Sequence, residues 1–123
     1  MTRILLVDDE DDIRMIAELC LRDVGGFHTT TASSGAEAIA EIRRDRPDGV
    51  LLDMMMPEMD GIETLTRIRQ SSGCEELPVI FMTARSQRRE IDEYLNTGAV
   101  GVITKPFDPM TLASQVSGLL GLT

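Results

Sequence analysis

The chain has 123 residues, 42% of them hydrophobic and 27% charged, with only 3% aromatic and no tryptophan. That length and composition exclude wholesale disorder and suit one compact domain with an aliphatic, methionine-rich core. Twenty-one acidic against twelve basic side chains leave a formal net charge of -9, which excludes a phosphate-driven grip on nucleic acid and suits a divalent cation or a basic partner surface.

Strand and helix patterns alternate along the chain. Ile4-Leu5-Leu6-Val7 is an unbroken apolar run, as expected of a strand buried on both faces. Ile13, Ile16, Ala17, Cys20, Leu21 and Val24 then recur at helical spacing until Gly25-Gly26 stops them. Residues 27–32, rich in threonine, read as a less buried strand. Ser34 is placed to cap a second helix running to about Arg44, with Glu37 completing a capping box. Residues 49–53 form a third strand, and a turn-rich loop follows to Asp60-Gly61. Ile62, Leu65 and Ile68 mark the third helix. Residues 78–82 form the fourth strand, opened by a proline where no ladder bond is lost. A polar fourth helix spans residues 87–96, a fifth strand 100–103 and a last helix 108–120.

Five strands alternating with five helices imply right-handed crossovers and a parallel sheet covered on both faces. No linker, repeat or low-complexity segment interrupts it, so residues 1–123 read as a single domain. Cys20 and Cys74 make no disulfide framework: Cys20 reads as a small core residue, Cys74 as an exposed thiol in a polar turn. Met54, Met55, Met56 and Met59 read as flexible packing rather than a soft-metal site, and His28 as a surface residue. No run reaches membrane-spanning length, and residues 3–7 are too short for a signal peptide, so a reducing cytoplasm is expected.

The acids are concentrated. Asp8 and Asp9 directly follow the first strand, and Asp53 ends the third. Ligands of open α/β sheets bind beyond the carboxyl ends of the strands. Carboxylates converging there repel one another unless a cation neutralises them, and Mg²⁺ takes one or two carboxylates while keeping sites for phosphate oxygens. Thr83 follows the fourth strand and Lys105 the fifth, at the same edge. A carboxylate nucleophile, a metal, a cation and a hydroxyl donor are the parts of phosphoryl transfer. For Asp12 the ordinary reading, an acid complementing a helix N-terminus, is preferred.

The stretches Leu5-Leu6-Val7-Asp8-Asp9-Glu10, Ser34-Gly35-Ala36-Glu37-Ala38, Leu52-Asp53 through Asp60-Gly61, Met82-Thr83-Ala84 and Lys105-Pro106-Phe107 resemble the receiver domains of two-component response regulators, chemotaxis regulators among them. The resemblance covers almost the whole chain. It implies a flavodoxin-like (βα)5 fold, with the parallel sheet in the order 2-1-3-4-5, which sets the first and third strands side by side. It implies that Asp53 accepts a phosphoryl group from the phosphohistidine of a sensor histidine kinase or a phosphotransfer protein. Asp9, Asp53 and the main-chain carbonyl of Met55 would bind Mg²⁺ (or Mn²⁺), with Asp8 acting largely through metal-bound water. Thr83 would follow the phosphoryl group inward and Lys105 would pair with it, its bond to Pro106 being cis. The protein would catalyse its own phosphorylation and dephosphorylation without turning over a separate substrate.

One position departs from the family pattern. Many receivers carry a Tyr or Phe three residues before the active-site lysine, and here that residue is Val102. A valine has a single short χ1 choice and cannot swing as a ring does, so output is expected to rely on backbone shifts near the fourth helix and fifth strand. Met55 and Arg85, each two residues beyond a site residue, are expected to overhang the pocket. Met55 would hinder water, and Arg85 would meet the phosphoryl group or a partner. Tyr94, Gln87 and Arg88 are candidates for the target-binding face.

Two other functions fit parts of the pattern. A haloacid-dehalogenase-like phosphohydrolase also uses an aspartate nucleophile with Mg²⁺, but its acids would be Asp8 and Glu10, an imperfect match, and the chain is short for the usual cap. A non-phosphorylated interaction module conflicts with the intact acid–threonine–lysine set. The expected partners are the kinase or phosphotransfer protein and a downstream protein target or an output domain, with no direct nucleic-acid contact, no membrane insertion, and a monomeric or weakly dimeric state. The sequence ends at Leu122-Thr123 without an output domain, which leaves a stand-alone regulator and a piece of a longer chain as the two readings.

Overall fold

A computed structural model of the chain describes residues 2–85 and 87–122. Its elements alternate as the hydrophobic pattern requires: β1 (Arg3–Val7), α1 (Asp11–Leu19), β2 (His28–Ala32), α2 (Gly35–Arg44), β3 (Gly49–Asp53), α3 (Gly61–Arg69), β4 (Val79–Thr83), α4 (Arg88–Asn96), β5 (Gly101–Thr104) and α5 (Leu112–Leu119). All neighbouring strands pair in parallel, in the order β2-β1-β3-β4-β5. The fold is the flavodoxin-like one, and its sheet order is the order expected.

Two apolar layers explain why the central strands read as unbroken hydrophobic runs. Successive side chains of a strand point to opposite faces. Leu5, Val7, Val50, Leu52, Val79 and Phe81 therefore pack with residues of α2, α3 and α4 on one side. Ile4, Leu6, Leu51, Ile80, Met82 and Ile103 pack with residues of α1 and α5 on the other. β2, an edge strand, keeps the threonines half-buried and His28 exposed.

Local details refine the sequence reading. α1 is continued by a π-helical segment, Cys20–Val24, in which one extra residue is wound into the turn. Cys20 and Leu21 both reach the core, while Ile16 and Val24, assigned by periodicity to the apolar face, are about half exposed. Ser34 caps α2 by accepting from the Glu37 amide at 3.1 Å, but the Glu37 carboxylate accepts from Ser33 Oγ at 2.9 Å, so the box closes one residue early. α5 starts at Leu112, because Asp108 first closes a turn through bonds to the amides of Met110, Thr111 and Leu112. Cys74 is buried in the α2–α4 layer, contrary to the exposed thiol expected of a polar turn. The turn folds back over the core, with the Cys74 amide bonded to Ser71 O.

Candidate functional site

The register of β1 and β3 pairs Val7 with Leu52, so the chain leaves both strands together and Asp8 and Asp53 stand side by side at the carboxyl edge. Asp8 is 0% exposed and Asp53 2% exposed. Lys105, just past β5, lies between them, with Nζ 3.0 Å from Asp8 Oδ2 and 3.2 Å from Asp53 Oδ1. Its backbone is fixed from β4, since the Lys105 amide donates to Thr83 O at 2.8 Å, and the Lys105–Pro106 peptide is cis.

The remaining contacts come from main-chain amides. Glu10 N donates to Asp8 Oδ1 at 2.9 Å, and Met55 N donates to Asp53 Oδ1 at 3.3 Å. The loop after β3 is held tightly: Met54 N bonds Met82 O and Gly61 N bonds Met54 O, both at 2.9 Å. A Cβ at Gly61 would lie 2.9 Å from Met54 Cα and 3.0 Å from Asp53 O. Only glycine lets α3 begin so close to the backbone that carries Asp53. Asp60 caps that helix through the Glu63 amide at 2.9 Å.

Asp53 Oδ2 is buried without a hydrogen-bond partner among the described residues. An orphaned carboxylate oxygen costs free energy that a ligand removes on binding. Burial first, and the neighbouring Asp8 charge second, push the Asp53 carboxyl up to about 6, although Lys105 and the Met55 amide pull the other way. For Lys105, burial favours the neutral amine, but its hydrogen bond to Asp8 and the charges of Asp53 and Asp8 outweigh it and raise the pKa. Asp8, Asp9 and Asp53 each offer a carboxylate oxygen, all within 4.8 Å of one another. This all-oxygen set fits a hard divalent cation such as Mg²⁺ rather than a soft metal.

The structure thus brings together Asp8, Asp9, Asp53 and Lys105, with Met55 joining through its amide. Thr83 ends β4 one residue beyond the Asp53–Met82 pairing; it is 1% exposed, and its hydroxyl accepts from Arg85 N at 3.0 Å. The side chains of three other residues singled out in the sequence stand apart from this cluster. The Arg85 guanidinium turns to Glu90 on α4, 3.7 Å away. Val102 is partly buried against the α2–α4 layer, opposite Phe81 in the sheet register. Tyr94 is buried rather than presented to a partner, because its ring packs edge-to-face on Phe81 with centroids 5.8 Å apart. Sequence reasoning missed Arg14, whose Nη1 donates to Asp8 O at 2.7 Å. The available signal was a lone cation two residues after a run of acids at 8–12.

This fold and site define a class, and comparison with known proteins agrees. The family model for the response regulator receiver domain matches residues 4–117. The chain belongs to that family. It is 36% identical over 117 residues to response regulator Rre1 of Synechocystis, an alignment covering 95% of this chain and 51% of that protein. It is 38% identical to the transcriptional regulatory protein CseB of Streptomyces coelicolor over 97% of this chain and 49% of that one. The chain therefore spans about half the length of the curated relatives it matches. The structure of chemotaxis response regulator CheY4 of Vibrio cholerae superposes with a TM-score of 0.90 at 32% identity, covering 97% of this chain and 98% of that one. Among the described residues no helix is long and apolar enough to cross a membrane.

Proposed function

We propose that the domain is a switch set by phosphorylation of Asp53. A carboxylate oxygen of Asp53 attacks the phosphorus of a phosphohistidine on a sensor histidine kinase or phosphotransfer protein. The O–P bond forms, the N–P bond breaks, and the electron pair returns to the imidazole, which takes up a proton. The observation that carries this reading is the unpartnered, buried Oδ2 of Asp53 beside the Lys105 ammonium and two further carboxylates. Asp8, Asp9, Asp53 and the Met55 main-chain carbonyl would hold Mg²⁺, which when bound neutralises the carboxylates and the incoming phosphoryl oxygens.

The chain's own residues do the rest. Lys105 pairs with a phosphoryl oxygen as a point charge, and Thr83 donates its hydroxyl to another. One equivalent per chain is taken up and later lost to water, so the domain acts on itself rather than on a pool of substrate. Exposed Met55 limits access of that water. Arg85 is held back by Glu90 and is available to a partner rather than to the phosphoryl group.

A groove of about 320 Å³ beside the site supports docking of a protein donor, since Ile13, Ile16, Pro106 and Phe107 line it next to Lys105. Output passes to a protein target or an attached domain through backbone movement at α4 and β5, with Val102 in place of a mobile ring. The domain acts in the cytoplasm, as a monomer or weak dimer. The reading is tested by intact-mass spectrometry after incubation with acetyl phosphate. A single phosphoryl adduct that requires Mg²⁺ and is absent in Asp53→Asn supports it; steady release of phosphate from simple esters without an adduct would point to a phosphohydrolase instead.

A further inference from the structure

Arg14, on the first turns of α1, ties down the loop that carries two of the three clustered acids. Its Nη1 donates to the main-chain oxygen of Asp8 at 2.7 Å and its Nη2 to Asp11 Oδ1 at 2.6 Å. The Asp8 carbonyl shares a rigid peptide plane with the Asp9 amide. An anchor on that oxygen therefore sets the direction in which the chain enters Asp9. The three acids differ in what else holds them. Asp8 is fixed by the Glu10 amide and Lys105, and Asp53 by the Met55 amide and Lys105. Among the described residues the Asp9 carboxylate has neither a hydrogen bond nor an ion pair, so its place depends on the peptide that Arg14 grips.

We infer that Arg14 is a positioning residue for Asp9, preparing it to ligate a divalent cation. The inference rests on the metal reading given above. Its sign separates it from a simple charge effect. A positive charge beside an acidic cluster opposes cation binding, so removing it should strengthen uptake if Arg14 acts through charge alone. Loss of positioning acts the opposite way, and disturbing a residue that orients a metal ligand weakens affinity by roughly 10-fold or more.

Calorimetric Mg²⁺ titration of the wild type, Arg14→Gln, Arg14→Lys, Asp9→Asn and the Arg14→Gln/Asp9→Asn double variant tests this, with circular dichroism to establish folding. The expected result is about tenfold weaker Mg²⁺ binding in Arg14→Gln, partial recovery in Arg14→Lys, and no added loss in the Asp9→Asn background. Equal or tighter binding in Arg14→Gln, or the same loss with Asp9 already removed, would overturn it. If Arg14→Gln does not fold, Arg14→Lys and its double variant with Asp9→Asn read the same coupling. Failure of the wild type to take up Mg²⁺ would remove the metal reading as well, whereas normal wild-type uptake with an unaffected Arg14→Gln would remove this inference alone.

Discussion

At the scale of the residue, the site is two buried carboxylates and one lysine, and their balance makes stability depend on pH. The Asp53 carboxyl is raised from 3.8 to about 6, chiefly by burial. Between those values the folded chain binds more protons than the unfolded chain, so stability falls as pH rises through the window. Below it, the acid is protonated in both states and the penalty vanishes; above it, the penalty is complete. The shift is worth about 3 kcal/mol. In Mg²⁺-free buffer Asp53→Asn should therefore unfold at higher urea than the wild type near neutral pH, with the gap closing toward about pH 4. A gap independent of pH would count against burial as the cause. Met55→Asn should shorten the phosphorylated lifetime, followed as decay of the adduct mass, because the polar side chain admits water. An unchanged lifetime would remove Met55 from that role.

At the scale of the element, α3 is the support that keeps Asp53 in place. Gly61→Ala gains helix propensity but sets a Cβ 2.9 Å from Met54 Cα. Backbone cannot yield as a flexible side chain does, so crowding outweighs propensity and should cost about 1–3 kcal/mol in urea unfolding. Asp60→Ala should cost about 1 kcal/mol through the lost cap. Legibility also varies by element. The buried strands were plain because Leu5, Leu6, Leu51 and Leu52 alternate between two apolar layers and so form unbroken runs. The helix after β1 was legible as a helix, but its π-helical end was not. That end is a change in backbone hydrogen-bond spacing, with the Gly25 amide reaching back five residues to Cys20 O, and apolar periodicity does not encode it. Cys74 and Tyr94 were misplaced for a similar reason: polar neighbours in sequence say little about a turn or helix that folds onto Phe81 and its layer.

At the scale of the whole molecule, four crossovers deliver residues far apart in sequence to one edge of the sheet. Lys105 meets Asp8 across 97 positions. The identities of these residues, and their places after strands, were readable from sequence, and the resemblance supplied the strand order that joins them. The main-chain partners Glu10 and Met55 and the Arg14 grip on Asp8 O were not readable, because hydrogen bonds to backbone leave no mark on residue type. A cation that binds only the assembled edge should stabilise the fold by mass action, by about 2.7 kcal/mol at a hundredfold excess over Kd. Mg²⁺ should thus raise Tm in the wild type and barely in Asp9→Asn; equal shifts would exclude Asp9 as a ligand. The most direct test of the central claim is to locate the phosphoryl group. Treatment of the acetyl-phosphate-labelled protein with borohydride, which reduces an acyl phosphate to an alcohol, followed by peptide mass spectrometry, should convert Asp53 and no other acid. Reduction at Asp8 or Asp9, or none at all in protein that carries the label, would contradict it.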